Sequence, residues 1–317
     1  MFAFEQQGSK IILTECAPPA IHRTTGGKTM TNAEVVAKIL AYHPQFPADY
    51  NGCDNWKCGN PEDECTGIVT ALAPTINVIK KAIELGANLI VVHEPTFYTS
   101  EDGPGWFEDF ENRVYDEKRA LLDEHGIAIW RDHDHMHAHN PDGIFTGVIK
   151  YLGWEGHVTV DRDTGMFAHF IVDFPEMTLK ELCVYVMERI GLNGVRYIGD
   201  PGAKVSSLAM VGHLYPMKSF KKRSDGADAE YSVGVIETLE KKVDVIMPGE
   251  IIDWTVMSYV RDAVQLGKNK GAINIGHYNW EELGMKYAVE WVSELTENKV
   301  PVTYVPSEDM YNFVVKG

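Results

Sequence analysis

From about residue 32 onward, apolar positions alternate between helical and strand spacing. Val35, Val36, Ile39 and Leu40 recur at the intervals of one helix face, and Val78, Ile79, Ala82 and Ile83 repeat it. Gly86 stops the second helix, because glycine takes the left-handed conformation that closes a helix C-terminus. Asn88-Leu-Ile-Val-Val92 follows as an unbroken apolar run, the mark of a strand covered on both faces. The unit returns as a helix over about 106–125, closed by Gly126, then a strand over Ile127–Trp130. A helix over about 141–152 and a strand over Met166–Val172 come next. Thr178-Leu-Lys-Glu181 has the spacing of a capping box and opens a helix to about 190. Strands are predicted at Val195–Ile198, Leu208–Val211, Val243–Met247, Ala272–Ile275 and Val300–Val305. Helices at about 228–241, 251–266 and 280–295 separate the later ones. Helix, glycine stop, strand, polar cluster is the signature of an α/β fold. In such folds ligands sit beyond the carboxyl ends of the strands.

Three polar clusters stand at such ends. His93-Glu94-Pro95 follows the strand that ends at Val92. Asp132-His-Asp-His-Met-His-Ala-His139 follows the strand that ends at Trp130. Gly276-His277-Tyr-Asn-Trp-Glu281 lies between Ile275 and the last helix. The middle cluster holds four of the 12 histidines, at 133, 135, 137 and 139. In an extended segment all four share a face; a turn breaks that set. His277 and Glu281, four apart at a helix start, lie on one face and can reach one ion. Imidazole with carboxylate suits zinc, iron, manganese, cobalt or nickel. Carboxylates that bridge two ions belong to two-metal hydrolytic sites. The bland alternative is an empty loop at 132–140, tied down by Asp132, Asp134 and Asp142.

Composition narrows the partners. The 29 Lys and Arg stand against 46 Asp and Glu, for a net charge of −17, which repels nucleic acid and anionic lipid. The basic run Lys218-Ser-Phe-Lys-Lys-Arg223 reads as a solvated loop. At 317 residues the chain is long enough for two domains at ~150 residues each. Five cysteines cannot all pair, and Cys53, Cys58 and Cys65 lack the close C-x2-C pair of a zinc knuckle, so reduced thiols in a cytoplasmic setting are expected. No run of 18 apolar residues suggests a membrane span. Residues 1–30 lack periodicity and read as an extension, with a fresh start at Met30-Thr31-Asn32.

The elements resemble those of the NIF-three-like (NGG-one-interacting factor three) dinuclear metal-centre family. Gly86-Ala-Asn-Leu-Ile-Val-Val-His-Glu-Pro95 is similar to its "G-A-D-L-I-hydrophobic-x-H-H-P", and Gly276-His-Tyr-Asn-Trp-Glu-Glu-Leu-Gly284 to its "G-H-x-x-x-E-x-x-G". His133-Asp-His-Met-His137 falls where the family has "H-T-N-L-D". Val243-Asp-Val-Ile-Met-Pro-Gly-Glu250 and Leu192-Asn-Gly-Val-Arg-Tyr-Ile-Gly-Asp200 resemble two further elements, in the family's order. The match runs over about residues 32–317.

The resemblance implies two intertwined α/β repeats with mixed sheets. The parts around the site are roughly 31–155 and 243–317, with 156–242 between them. It implies two divalent transition-metal ions held by His93, Glu94, His133, His137, His277 and Glu281, with Glu281 the bridge. Three positions depart from it. Glu94 stands for the second histidine of the pair, His137 for the aspartate of "H-T-N-L-D", and Ala73 for the aspartate of an upstream "A-L-D-x-T". It further implies a homohexamer and a label related to a GTP cyclohydrolase. The expected function is metal-dependent hydrolysis of a small, nucleotide-like substrate, with Glu94, Asp134 and His135 as acid–base candidates. The alternative is a non-enzymatic metal-handling or assembly protein. Trp106, Trp130, Trp154 and Trp280 are expected in the core or at subunit contacts, and Tyr278 and Glu250 near the site.

Overall fold

A computed structural model describes residues 29–100, 102, 105, 108–162, 168–216, 218–222 and 224–314. Nearly all of the 1–30 extension, Trp106, Met166 and Arg223 lie outside these residues.

Two sheets form the frame. The first has the order β1 (Trp56–Cys58), β4 (Ala128–Arg131), β3 (Leu89–Val92), β2 (Ile68–Ala71) and β13 (Val302–Tyr304). Its last four strands run parallel, and β1 pairs antiparallel with β4. The second has the order β5 (Val158–Arg162), β6 (His169–Thr178), β8 (Lys204–Val211), β11 (Val245–Pro248), β12 (Gly271–Asn274) and β7 (Arg196–Ile198). Here β8, β11 and β12 are parallel, flanked by antiparallel strands on both sides. A ribbon of β9 (Lys218–Lys222) and β10 (Asp228–Glu230) stands apart. The two α/β halves interleave: the chain builds the first sheet, then the second, then returns β13 to the first.

Helices fill three layers. On the outer face of the first sheet, α2 (Ile76–Leu85) and α3 (Arg113–Glu124) bury Val78, Ile79, Ala82 and Leu122. On the outer face of the second, α7 (Tyr231–Lys241) and α8 (Val256–Gln265) bury Val235, Leu239, Val256 and Val260. Between the sheets lie α1 (Asn32–Tyr42), α5 (Gly143–Leu152), α6 (Leu179–Ile190) and α9 (His277–Leu295). One apolar cluster runs from Leu89 and Trp130 through Phe145 and Trp280 to Leu208 and Met247, so a single core joins both sheets. Trp280 meets Phe145 edge-on at 5.4 Å. Burying each such ring contributes about 1.5–3 kcal/mol.

Local signals explain most boundaries. Thr31 with Glu34, and Thr178 with Glu181, form complete capping boxes. Gly86 closes α2 at φ 67°, as its position predicts. The α/β reading holds, and several edges move. The last helix begins at His277 rather than near 280, and residues 228–230 form a strand before α7. The helix expected from 251 starts at Val256. Segment 134–138 is the short helix α4 (Asp134–Ala138), not an extended stretch. Among the described residues Cys53, Cys58, Cys65 and Cys183 are free thiols, and no helix is long and apolar enough to cross a membrane. Trp130, Trp154 and Trp280 are buried.

Candidate metal centre

The carboxyl end of β3 turns sharply. The backbone N–H groups of His93 and Glu94 both donate to the Leu72 carbonyl, at 3.1 and 2.8 Å. His93 is fully buried, and its Nδ1 lies 3.1 Å from the Asp132 backbone carbonyl. A carbonyl only accepts, so Nδ1 carries the proton and Nε2 keeps its lone pair. That Nε2 is buried and has no hydrogen-bond partner among the described residues.

The histidine-rich segment owes its shape to Asp54. This buried carboxylate accepts from the backbone N–H groups of His133, Asp134 and His135, at 2.8, 3.0 and 2.8 Å. It therefore caps the orphan donors of α4 and winds the segment into a turn. Four-residue spacing then puts His133 and His137 on one side. Their rings lie 4.3 and 4.9 Å from that of His93, centre to centre. His137 Nδ1 donates to Asp142 at 2.8 Å, and its Nε2 is again buried without a hydrogen-bond partner among the described residues. His133 Nδ1 meets Asp134 Oδ1 at 2.8 Å, so Asp134 orients that ring. His135 faces elsewhere: its Nδ1 is 2.7 Å from Asp54 and its ring packs on Phe46 at 4.2 Å. His139 stacks on Tyr42 beside His43.

The third contribution comes from the start of α9. Gly276 precedes it at φ 88°, a conformation that favours glycine, and the Asn274 side chain accepts from its N–H at 2.8 Å. His277 and Glu281 then share the first turn, with Nε2 to Oε2 at 2.6 Å. Glu281 is fully buried. Its Oε2 lies 3.5 Å from His93 Nε2, and its Oε1 lies 3.8 Å from His137 Nε2 and 3.0 Å from His213 Nε2. Glu94 Oε1 approaches His277 Nε2 at 2.9 Å, and Arg131 stands 3.8 Å behind Glu94. Glu250 Oε2 is 3.5 Å from His277 Nδ1. Tyr278 is half-buried at the next position.

The other five residues expected as ligands thus gather around Glu281. Of the acid–base candidates, Glu94 is in this group, Asp134 stands behind His133, and His135 is turned toward Asp54. His213 was not anticipated. The readable signal was position: it follows the end of β8 as His93 follows the end of β3. A lone histidine after Val211-Gly212 offered no spacing to support it.

The electrostatics are those of a charged cluster shut away from water. Burial lowers the His133 pKa to about 4, helped by the neighbouring His93 and His137. Burial acts the same way on His137 and His277, but carboxylates outweigh it. Asp142 with Glu281 raises His137 to about 10, and Glu281 with Glu94 raises His277 to about 11. Burial alone would raise Glu281; His277 and His93 hold it well below the usual carboxylate range. Burial likewise opposes ionisation of Glu94, and the bond with His277 lowers its pKa.

Among the described residues several groups of donors lie close enough to hold an ion, and three of them lie around Glu281: His93, His133 and His137; His137, His213 and Glu281; His213, Glu250 and His277. Within each, the donor atoms are all within 4.8 Å of one another. The orphaned His93 Nε2, His137 Nε2 and Glu281 Oε1 fit a cation, since an unpartnered buried polar atom costs about 1–3 kcal/mol.

The fold and this cluster define an α/β protein with a candidate metal centre at the carboxyl ends of strands from two sheets. The chain belongs to the Duf34/NIF3 (NGG1p interacting factor 3) family, whose profile matches residues 31–214. It is 25% identical over 228 residues to a GTP cyclohydrolase 1 type 2 homolog of Clostridium acetobutylicum, covering 70% of this chain and 75% of that one. A Bacillus cereus protein related to NIF3 shares the fold, with TM-score 0.67 at 15% identity over 91% of this chain and 100% of that one. A Staphylococcus aureus hypothetical protein does so with TM-score 0.65 at 18% identity, over 90% and 100%.

Proposed function

We propose that this chain is a dinuclear metal-dependent hydrolase acting on a small, nucleotide-like substrate. The observation that carries the reading is the set of orphaned, buried atoms: His93 Nε2 and His137 Nε2 lie 3.5 and 3.8 Å from the buried Glu281 carboxylate, whose Oε1 is likewise without a hydrogen bond among the described residues. His93, Glu94, His133, His137, His277 and Glu281 would hold the two ions. When bound, two ions supply a Lewis acid and a nucleophile at neutral pH. The protein's own part is to fix the donors. Asp132, Asp142 and Asp134 set the tautomers of His93, His137 and His133. Imidazoles and carboxylates together suit zinc, iron, manganese, cobalt or nickel. The names of the GTP cyclohydrolase 1 type 2 homologs support a heterocyclic nucleotide as the first substrate class to try. A cytoplasmic homohexamer is the expected setting.

The deciding experiment is elemental analysis of tag-free, chelator-free protein beside a His277→Ala/Glu281→Ala variant. Two transition-metal ions per chain, lost in the variant, support the centre. A panel of nucleotides, phosphoesters and amides then follows with the metal found. Metal binding without turnover on any of them returns the protein to a metal-handling role. A monomer by light scattering at micromolar concentration removes the hexamer.

A further inference from the structure

We propose that His213 is a metal ligand, the imidazole this chain supplies from the second sheet where Glu94 stands in place of a histidine. The inference rests on the dinuclear reading above and deepens it.

The backbone puts His213 there on purpose-built rails. The parallel pairing of β8 with β11 continues past both strand ends, through Gly249 N–H to the Val211 carbonyl at 3.0 Å and Leu214 N–H to the Glu250 carbonyl at 2.8 Å. His213 and Glu250 are thereby held side by side. Gly249 leaves room for the ring: a Cβ there would stand 3.3 Å from His213 Nδ1 and 3.4 Å from Trp280 Nε1. The ring is wedged with its Nε2 toward Glu281.

A structural histidine would spend its nitrogens on hydrogen bonds. His213 is 8% exposed, and its Nδ1 is buried with no hydrogen-bond partner among the described residues. Its Nε2 lies 3.0 Å from Glu281 Oε1, yet that oxygen has no aligned hydrogen bond among the described residues either. Two such atoms at contact distance without an aligned hydrogen bond are placed to share an ion. Ligands about 2.0–2.2 Å from one cation sit roughly 3 Å apart, with lone pairs converging on the ion rather than on each other. His137 Nε2, also without a hydrogen bond among the described residues, lies 3.8 Å from the same oxygen. His213 also belongs to two of the donor groups, with His137 and Glu281 on one side and with Glu250 and His277 on the other. It links the two halves of the centre. Five imidazoles then face three carboxylates, a nitrogen-rich set that favours zinc, cobalt, nickel or iron over magnesium or calcium.

The test uses tag-free parent, His213→Gln and His213→Ala, each loaded with Co(II). Bound ions are counted by elemental analysis, and coordination is read from the visible absorption bands. The parent is expected to hold two ions. Both variants are expected to lose one ion or bind it about 10–100-fold more weakly, with altered bands. Added imidazole should restore the parent spectrum in His213→Ala, which also shows that the variant is folded. Variants with the parent's stoichiometry, affinity and spectrum overturn the role of His213 and leave the dinuclear reading standing. Unchanged spectra with lost hydrolysis overturn it too, and make His213 an acid–base group. A parent that takes up no cobalt overturns both readings together.

Discussion

Glu94 and His277 meet at 2.9 Å across the gap between the two sheets, one at the end of β3 and the other after β12. The carboxylate at 94 faces the His277 Nε2 that also contacts Glu281 at 2.6 Å. This geometry predicts that Glu94→Ala weakens one ion selectively. About one of two ions per chain should remain on elemental analysis, because His93, His133 and His137 are untouched. Loss of both ions, or of neither, would count against Glu94 as a ligand.

Metal uptake should release protons. In the metal-free chain His137 titrates near 10 and His277 near 11, so both are cationic at neutral pH. A ligand imidazole must give up its Nε2 proton. Affinity should therefore rise with pH through the neutral range. Calorimetry of zinc binding in two buffers of different ionisation enthalpy should find about two protons released per chain at pH 7.5. No release would mean that these two histidines do not bind the ions.

The crossing of α5 and α9 sets how deep Glu281 sits. Gly147 and Gly284 face each other, and a Cβ on Gly284 would stand 2.7 Å from Ile144 Cα. Gly284→Ala should cost about 1–3 kcal/mol, the usual range for overpacking. It should also weaken metal binding by pushing the first turns of α9 outward. Denaturant unfolding and zinc titration would check the two effects separately.

Lys118 offers a pH test away from the centre. It is 4% exposed, with Nζ 2.5 Å from the Thr96 carbonyl and 5.0 Å from the centre of the Tyr98 ring. Burial lowers its pKa to about 8, against a smaller opposing pull from Asp102. Between pH 8 and its unfolded value the unfolded chain binds more protons, so this group adds stability as pH rises. Relative to Lys118→Met, the parent should gain up to about 3 kcal/mol on going from pH 7 to pH 10. A constant difference between the two proteins would contradict it.

What the sequence disclosed followed from local rules. Apolar runs that follow glycine-stopped helices located β3 and β4, and the polar residues just past them form the candidate cluster. His277 and Glu281 were legible because both lie within one turn of one helix. The shape of 133–139 was not, because the residue that winds it, Asp54, lies far up the chain. An extended strand would have aimed four histidines together; the capped turn aims two. His213 escaped for a similar reason. Its partners come from α4, β11 and α9, and only the completed sheet order brings them to it.

His93, Glu94, His133 and His137 hang from the first sheet, whereas His213, Glu250, His277 and Glu281 follow strands of the second. Ions held between them, as proposed above, would act as a caliper on the spacing of the sheets. A slip of one sheet past the other by about 1 Å is enough to cost a hundredfold in a well-aligned reaction. The interleaved chain, with β13 returned to the first sheet, ties the two jaws together.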